Sequence, residues 1–189
     1  RRRNQVGLVV LLGLVTMLGV ALKLSQLRHP NARGGDIISA VAGNGIFLGF
    51  AGLTIEIALF LPLAVSVLAG DAVAGEANLG TLRYLLTVPV NRTRLLLVKY
   101  ASLCIGAVWG IAAVAIPGAI IGIALFGTGP LTTLSGSQIG FGAAVWRLVL
   151  VMLYLAAGLA GLAGVGLFIS TLTEVPIAAA IALMVFTIV

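Results

Sequence analysis

The sequence predicts an all-α membrane protein, a polytopic bundle of apolar helices joined by short polar islands. Two observations carry that expectation. Of the 189 residues, 61% are hydrophobic and only 8% are charged, whereas globular chains average about 25% charged residues. The few charges also gather in islands between long apolar runs, each approaching the roughly 20 residues that cross about 30 Å of hydrocarbon.

Five apolar segments can be marked, and each implies a span. The first, Val6 to Leu22, follows Arg1-Arg2-Arg3, and no small-residue cleavage site comes after it, so it is not a signal peptide. The second, Ile37 to Ala69, is too long for one upright helix, since about 33 residues at 1.5 Å each give roughly 50 Å. Asp36 can cap its start, and Gly43, Gly45, Gly49 and Gly52 weaken its first half, so an outer helical portion or a kink is expected before the span proper. The rival division into two short spans meeting near Gly52 would move the basic island around Arg92 to the outer side. Pro117 should kink the third segment, Tyr100 to Phe126. A Gly-, Thr- and Ser-containing stretch without charge, Gly127 to Gly142, then reads as an external connection to the fourth segment, Ala143 to Ile169. The last run, from Val175, has about 15 residues, short of a full span, and residues 1–189 therefore read as a single, C-terminally incomplete transmembrane domain.

The net charge of +6 comes from eleven basic residues against five acids. Arg1, Arg2, Arg3, Arg83, Arg92, Arg94 and Lys99 fall on one side of the predicted spans, and Lys23, Arg28, Arg33 and Arg147 on the other. Short cytoplasmic loops carry the basic excess, which places the N-terminus in the cytoplasm. Basic residues distributed this way are topology signals beside membrane lipid and do not point to nucleic acid. Cys104 and His29 are each the only residue of their type, so no disulfide, no metal ligand set and no catalytic Cys/His arrangement can be assembled. Small residues recur at close-packing spacing at Gly45 and Gly49, Gly106 and Gly110, Gly118 and Gly122, and along Ala157, Gly161 and Gly164. Such pairs serve packing within one bundle or a seam with a second copy.

The most informative island runs from Gly70 to Lys99. Leu79, Leu82 and Leu86 recur at i, i+3 and i+7 among Glu76, Asn78, Thr81 and Arg83, the pattern of a short amphipathic helix. Pro89 ends it and Asn91 can cap the next span. From the pattern alone, such a helix either lies on the lipid surface or is held by a soluble partner. Arg92, Arg94 and Lys99 are expected to anchor the third span at the headgroups.

The elements Gly75-Glu76, Gly80-Thr81-Leu82-Arg83, Leu85-Leu86, Pro89, Arg92 and Lys99 resemble the permease subunits of bacterial ABC transporters of the type-2 exporter family. The direct likeness covers about 30 residues, and the order of spans agrees around it. The resemblance implies a six-span permease in the bacterial inner membrane, paired with a second permease subunit as a homo- or heterodimer. It also implies two cytoplasmic ATPase subunits that carry ATP and Mg, this chain binding no cofactor itself. The segment 71–88 would be the cytoplasmic coupling helix, with Glu76, Asn78, Leu79, Gly80, Thr81, Arg83 and Leu86 at the ATPase interface. Leu134 to Gln138 looks like the signature of an ABC ATPase, but no phosphate-binding loop accompanies it and it falls in the external connection.

Glu56 is an acid within a predicted span, where a carboxylate costs about 2.5–3.5 kcal/mol on insertion scales. It is a candidate for the translocation pathway or a proton relay, with Arg147 or Lys23 as partners, or else an acid held inside the bundle for packing. Three other classes compete with the permease: an ion-coupled secondary transporter or channel that uses Glu56, a non-transporting scaffold, and a membrane enzyme. The last has the least support, since no His, Cys or paired acids cluster near an interface.

Overall fold

The computed structural model describes residues 13, 16–17, 19–21, 23–24, 44–58, 60–80, 91–132 and 137–188. After helical residues between 13 and 24 come α1 (Ile46–Ala58), α2 (Phe60–Asn78), α3 (Arg92–Phe126), a hairpin of β1 (Leu131–Thr132) and β2 (Gln138–Ile139), α4 (Phe141–Leu172) and α5 (Pro176–Ile188). The fold is an all-α membrane helix bundle. Among the described residues, α2, α3 and α4 are long and apolar enough to cross a membrane, while α1 and α5 are shorter apolar helices. With 35 and 32 residues, α3 and α4 are about 50 Å long, so both exceed the hydrocarbon layer and must tilt or project from it. Large apolar side chains stand exposed along them, including Trp109, Ile120, Leu153 and Phe168. In water that surface would drive aggregation; in lipid it is solvated.

The described helix boundaries differ from the sequence expectation at the end of α2. The expected cap at Asp36 lies outside the described residues; α1 is capped by buried Asn44, whose Oδ1 accepts a bond from the Ile46 amide at 2.8 Å. Within the second apolar run, the described residues from Ile46 onward are helical in α1 and α2. The helix α2 does not stop near Ala69 but continues to Asn78, its last turns holding four alanines and no proline despite Gly70 and Gly75. It ends at Gly80, which adopts φ +68, a left-handed conformation that a side chain disfavours. Gly127, at φ +82, closes α3 in the same way, its amide donating to the Ile123 carbonyl at 2.9 Å. Pro117 lies inside α3, which continues to Phe126, and Pro176 opens α5 at the first helical position, where its missing donor is not needed.

The described residues form two compact units, one from the chain up to Ile55 with Ile111–Leu153, the other from Glu56–Gly110 with Tyr154–Val189. In the first, Gly45 and Gly122 meet so closely that a Cβ on Gly122 would stand 2.9 Å from the Leu48 Cβ as well as against the Gly45 backbone. Gly49 faces the backbone of Ala115 and Ala119. Asn44 also ties this contact to the connection after α3: its Nδ2 donates to the Gly129 carbonyl at 2.7 Å, and the Gly45 amide donates to Gly127 at 3.0 Å. Lys23 donates to the Leu125 carbonyl at 2.6 Å and lies 5.2 Å from the Phe126 ring centre, a cation at the C-terminal end of α3. The stretch expected as a plain connection contains the two-stranded hairpin, with Leu131 opposite Ile139.

In the second unit α2 packs along α5. Two glycines set that contact: Gly166 of α4 faces Ala69 and Leu183, and Gly70 lies against the backbone of Pro176 and Ala180. The buried residues Ala69, Ala74 and Leu183 form the seam, where small side chains let backbones approach.

Candidate functional site

Polar side chains of the second unit converge on the last two turns of α2, the part of the helix that the sequence assigns to the coupling segment. From Asp71 to Asn78 this end sets Asp71, Glu76 and Asn78 among alanine, valine and glycine, and Gly80 then turns the chain so that Leu79 stands exposed. An exposed leucine at a helix end beside Glu76 and Asn78 offers an apolar contact within a polar frame.

Lys99, two turns into α3, holds one side of this end. Its Nζ lies 2.6 Å from Glu76 Oε2 and also donates to the Ala72 carbonyl. The side chains are 17% and 34% exposed, so the pair is only partly screened by solvent. A cation beside the late carbonyls of a helix gains from the macrodipole as well. Lys99 was expected to anchor α3 at the headgroups; its amine is instead committed to α2, because Glu76 and Ala72 present a carboxylate and a carbonyl within reach of one ammonium. Arg94 remains exposed. One residue on, the Tyr100 hydroxyl donates to the Ala160 carbonyl of α4 at 3.2 Å, so consecutive residues of α3 grip α2 and α4.

Ser170 of α4, fully buried, holds the other side. Hydroxyls at Thr54, Ser102, Thr171 and Thr187 bond back to carbonyls of their own helices, the ordinary choice for such residues in a helix. Ser170 crosses to α2. Its Oγ donates to the Gly70 carbonyl at 2.8 Å and accepts from the amides of Val73 and Ala74 at 3.1 and 3.0 Å. Gly70 and Ala74 are partners in a regular α-helical ladder, and one hydroxyl from another helix engages both.

Of the residues expected at a partner interface, Glu76, Asn78, Leu79 and Gly80 are therefore gathered at the end of α2. Thr81, Arg83 and Leu86 lie outside the described residues. Leu79 and Gly80 form the turn that closes α2, while Leu82 and Leu86, expected on one helical face with Leu79, lie outside the described residues. The sequence reading missed Ser170 altogether; its one signal was a hydroxyl near the end of an otherwise apolar helix.

Glu56 stands apart from this cluster, in the last turn of α1. It is 2% exposed, and neither carboxylate oxygen has a hydrogen-bonding partner among the described residues. Of the partners anticipated for it, Lys23 is engaged by Leu125 and Arg147 is exposed. Glu56 does not line the apolar groove of the second unit, a space of about 610 Å³ bounded by Ile57, Pro62, Tyr154, Gly158, Gly161 and Phe186 among others. Beside Gly158 and Gly161 the space is open: a Cβ on either would touch nothing.

Comparison with known proteins adds one match. A family model described as ABC-2 family transporter protein matches residues 1–189. No curated protein and no solved structure matches the chain.

Proposed function

The chain belongs to the ABC-2 transporter family, a multi-pass membrane component that is not itself catalytic and associates with an ABC ATPase, and from that premise we propose the following role. It is the permease subunit of an ATP-driven exporter in a bacterial inner membrane, working as a dimer with a second permease subunit and with its N-terminus in the cytoplasm. Its substrate is hydrophobic or amphipathic, which the apolar walls of the 610 Å³ groove support. ATP and Mg are held by the ATPase subunits.

The observation that carries this reading is the end of α2. Leu79 is exposed there, framed by Glu76 and Asn78, while Lys99 and Ser170 fix the helix behind it. We assign Glu76, Asn78, Leu79 and Gly80, with Thr81, Arg83 and Leu86, to the ATPase interface, in which apolar contact at Leu79 supplies most of the docking strength and the charges set register. The test is capture of partners from mild detergent with an ATPase assay on the eluate, using the wild type and Leu79→Asp. A nucleotide-hydrolysing partner with the wild type and its loss with the variant are the expected results. Absence of any such partner with the wild type would overturn the reading.

Glu56 favours a second reading, an ion-coupled secondary transporter or channel, because a buried acid with no partner among the described residues is costly in a membrane helix unless it serves a proton or cation. That reading requires ion-dependent flux without any ATPase partner. Within the permease reading, Glu56 is instead a residue of the translocation pathway.

A further inference from the structure

We propose that Ser170 is a positioning residue that joins the docking end of α2 to α4, so that displacement of that end by the ATPase is passed to the membrane helices through one hydroxyl. The inference rests on the permease reading above and concerns how its interface is coupled.

Three observations place the joint at Ser170. The hydroxyl is fully buried and uses both its proton and its lone pairs on α2, at Gly70, Val73 and Ala74. It lies at the root of the two turns that carry Glu76 and Leu79, where any tilt of those turns must begin. The same level of α2 is packed by a third helix, because Gly70 lies against the α5 backbone at Pro176 and Ala180. Helix α2 is thus gripped from two sides where it changes from membrane span to docking end. A short hydroxyl tether has no slack: its bond lengths of 2.8–3.1 Å leave little room before the contacts are lost.

Removing the tether leaves no orphaned backbone. In Ser170→Ala the Gly70 carbonyl and the Ala74 amide face each other as ordinary ladder partners and close the helical bond themselves, so folding and ATPase capture are expected to stay within about twofold of wild type. Hydrolysis by the captured ATPase, measured per ATPase in lipid nanodiscs, is expected to change by at least about fivefold, the factor that one hydrogen bond of ordinary net strength represents. Ser170→Cys, which keeps a weak donor and acceptor in nearly the same volume, should fall between the two.

A distance measurement separates a joint from a merely structural contact. Spin labels at the exposed positions Asp71 and Phe168, introduced as cysteines with Cys104→Ser in the background, report on α2 against α4. With Ser170 present, one distance population should persist when the captured ATPase is trapped with ATP and vanadate; with Ser170→Ala a second population should appear. Gly70→Ala probes the joint from the α5 side, because its Cβ would stand 2.9 Å from the Ala180 amide nitrogen and 3.0 Å from the Pro176 carbonyl, and it should uncouple likewise. Wild-type hydrolysis and a single trapped population in Ser170→Ala, with the ATPase still captured, would overturn the joint alone. Failure of the wild type to capture any ATPase would remove the permease reading and the joint with it.

Discussion

The Glu76–Lys99 pair makes an asymmetric prediction. If Glu76 served chiefly to meet a partner subunit, its removal would harm docking and removal of Lys99 would matter little. The geometry argues for the reverse order. Glu76→Ala deletes one partly exposed ion pair, worth about 0.2–1 kcal/mol. Lys99→Ala deletes that pair and also the charge-assisted bond to the Ala72 carbonyl, which adds about 1.5–3 kcal/mol. Lys99→Ala should therefore loosen the end of α2 by roughly 2–4 kcal/mol against at most about 1 kcal/mol for the ion pair lost in Glu76→Ala. The double variant should fall short of the sum of the two single losses, since the two residues share the ion pair.

The charge swap Glu76→Lys with Lys99→Glu adds a second discriminant. It restores the attraction and places a cation on α2 near its C-terminal end, which the dipole favours, but it turns a carboxylate toward the Ala72 carbonyl. Partial recovery relative to Glu76→Lys is expected. The assays are thermal unfolding in detergent and ATPase capture, run on both single variants, the double variant and the swap. Should Lys99→Ala prove silent while Glu76→Ala abolishes capture, Glu76 acts on the partner directly and the clamp is irrelevant to docking.

Three further outcomes are expected. Glu56→Gln removes a charge that has no partner among the described residues, so assembly should be unchanged, with transport altered as a pathway residue requires; transport at the wild-type rate would return Glu56 to packing. Gly158→Leu projects into open space in the apolar groove and replaces glycine in a helix with a better helix former. It should leave melting temperature and ATPase capture intact while lowering export, and unchanged export of the native cargo would show that the groove is not used. Asn44→Ala removes the α1 cap and leaves the Gly129 carbonyl without its donor, a combined loss of about 2–3 kcal/mol to be read as a lowered unfolding temperature without loss of ATPase capture.

Much of this fold is legible in the sequence because lipid imposes a simple rule: long apolar runs must be helical to satisfy their own backbones. The cores of α3 and α4 fall where hydropathy puts them. Helix α1 is harder, since Gly45 and Gly49 read both as helix weakeners and as a close-packing pair, and they serve close approach to Gly122 and to Ala115 and Ala119. Whether a glycine weakens a helix or admits a neighbour depends on a contact distant in the chain. Lys99 shows the same limit. Its position predicts a cation near an interface, but headgroup and carboxylate are equally good partners until α2 and α3 are placed side by side. Ser170 is less legible still, because a helical serine ordinarily bonds its own backbone, and only the packing of α4 against α2 brings the hydroxyl within reach of Gly70, Val73 and Ala74.

The two tethers on α2 differ in kind, and the difference decides how its end can move. From Asp71 to Asn78 the helix forms a lever about 12 Å long, with Leu79 at its free end. Lys99 reaches it through a four-carbon chain that follows small displacements by changing rotamer, so this contact guides the lever without fixing it. Ser170 reaches it through a single carbon, and its three bonds fail within a fraction of an ångström to an ångström of separation. A push on Leu79 is therefore absorbed by rotation at the Lys99 side and transmitted at the Ser170 side, where α4 and the packed α5 must follow or the hydroxyl must let go. Gly70 sits at that fulcrum, with no side chain to cushion α5. Under this arrangement the direction of motion passed to the bundle is set by which tether is short, and exchanging their stiffness should do more damage than weakening either one.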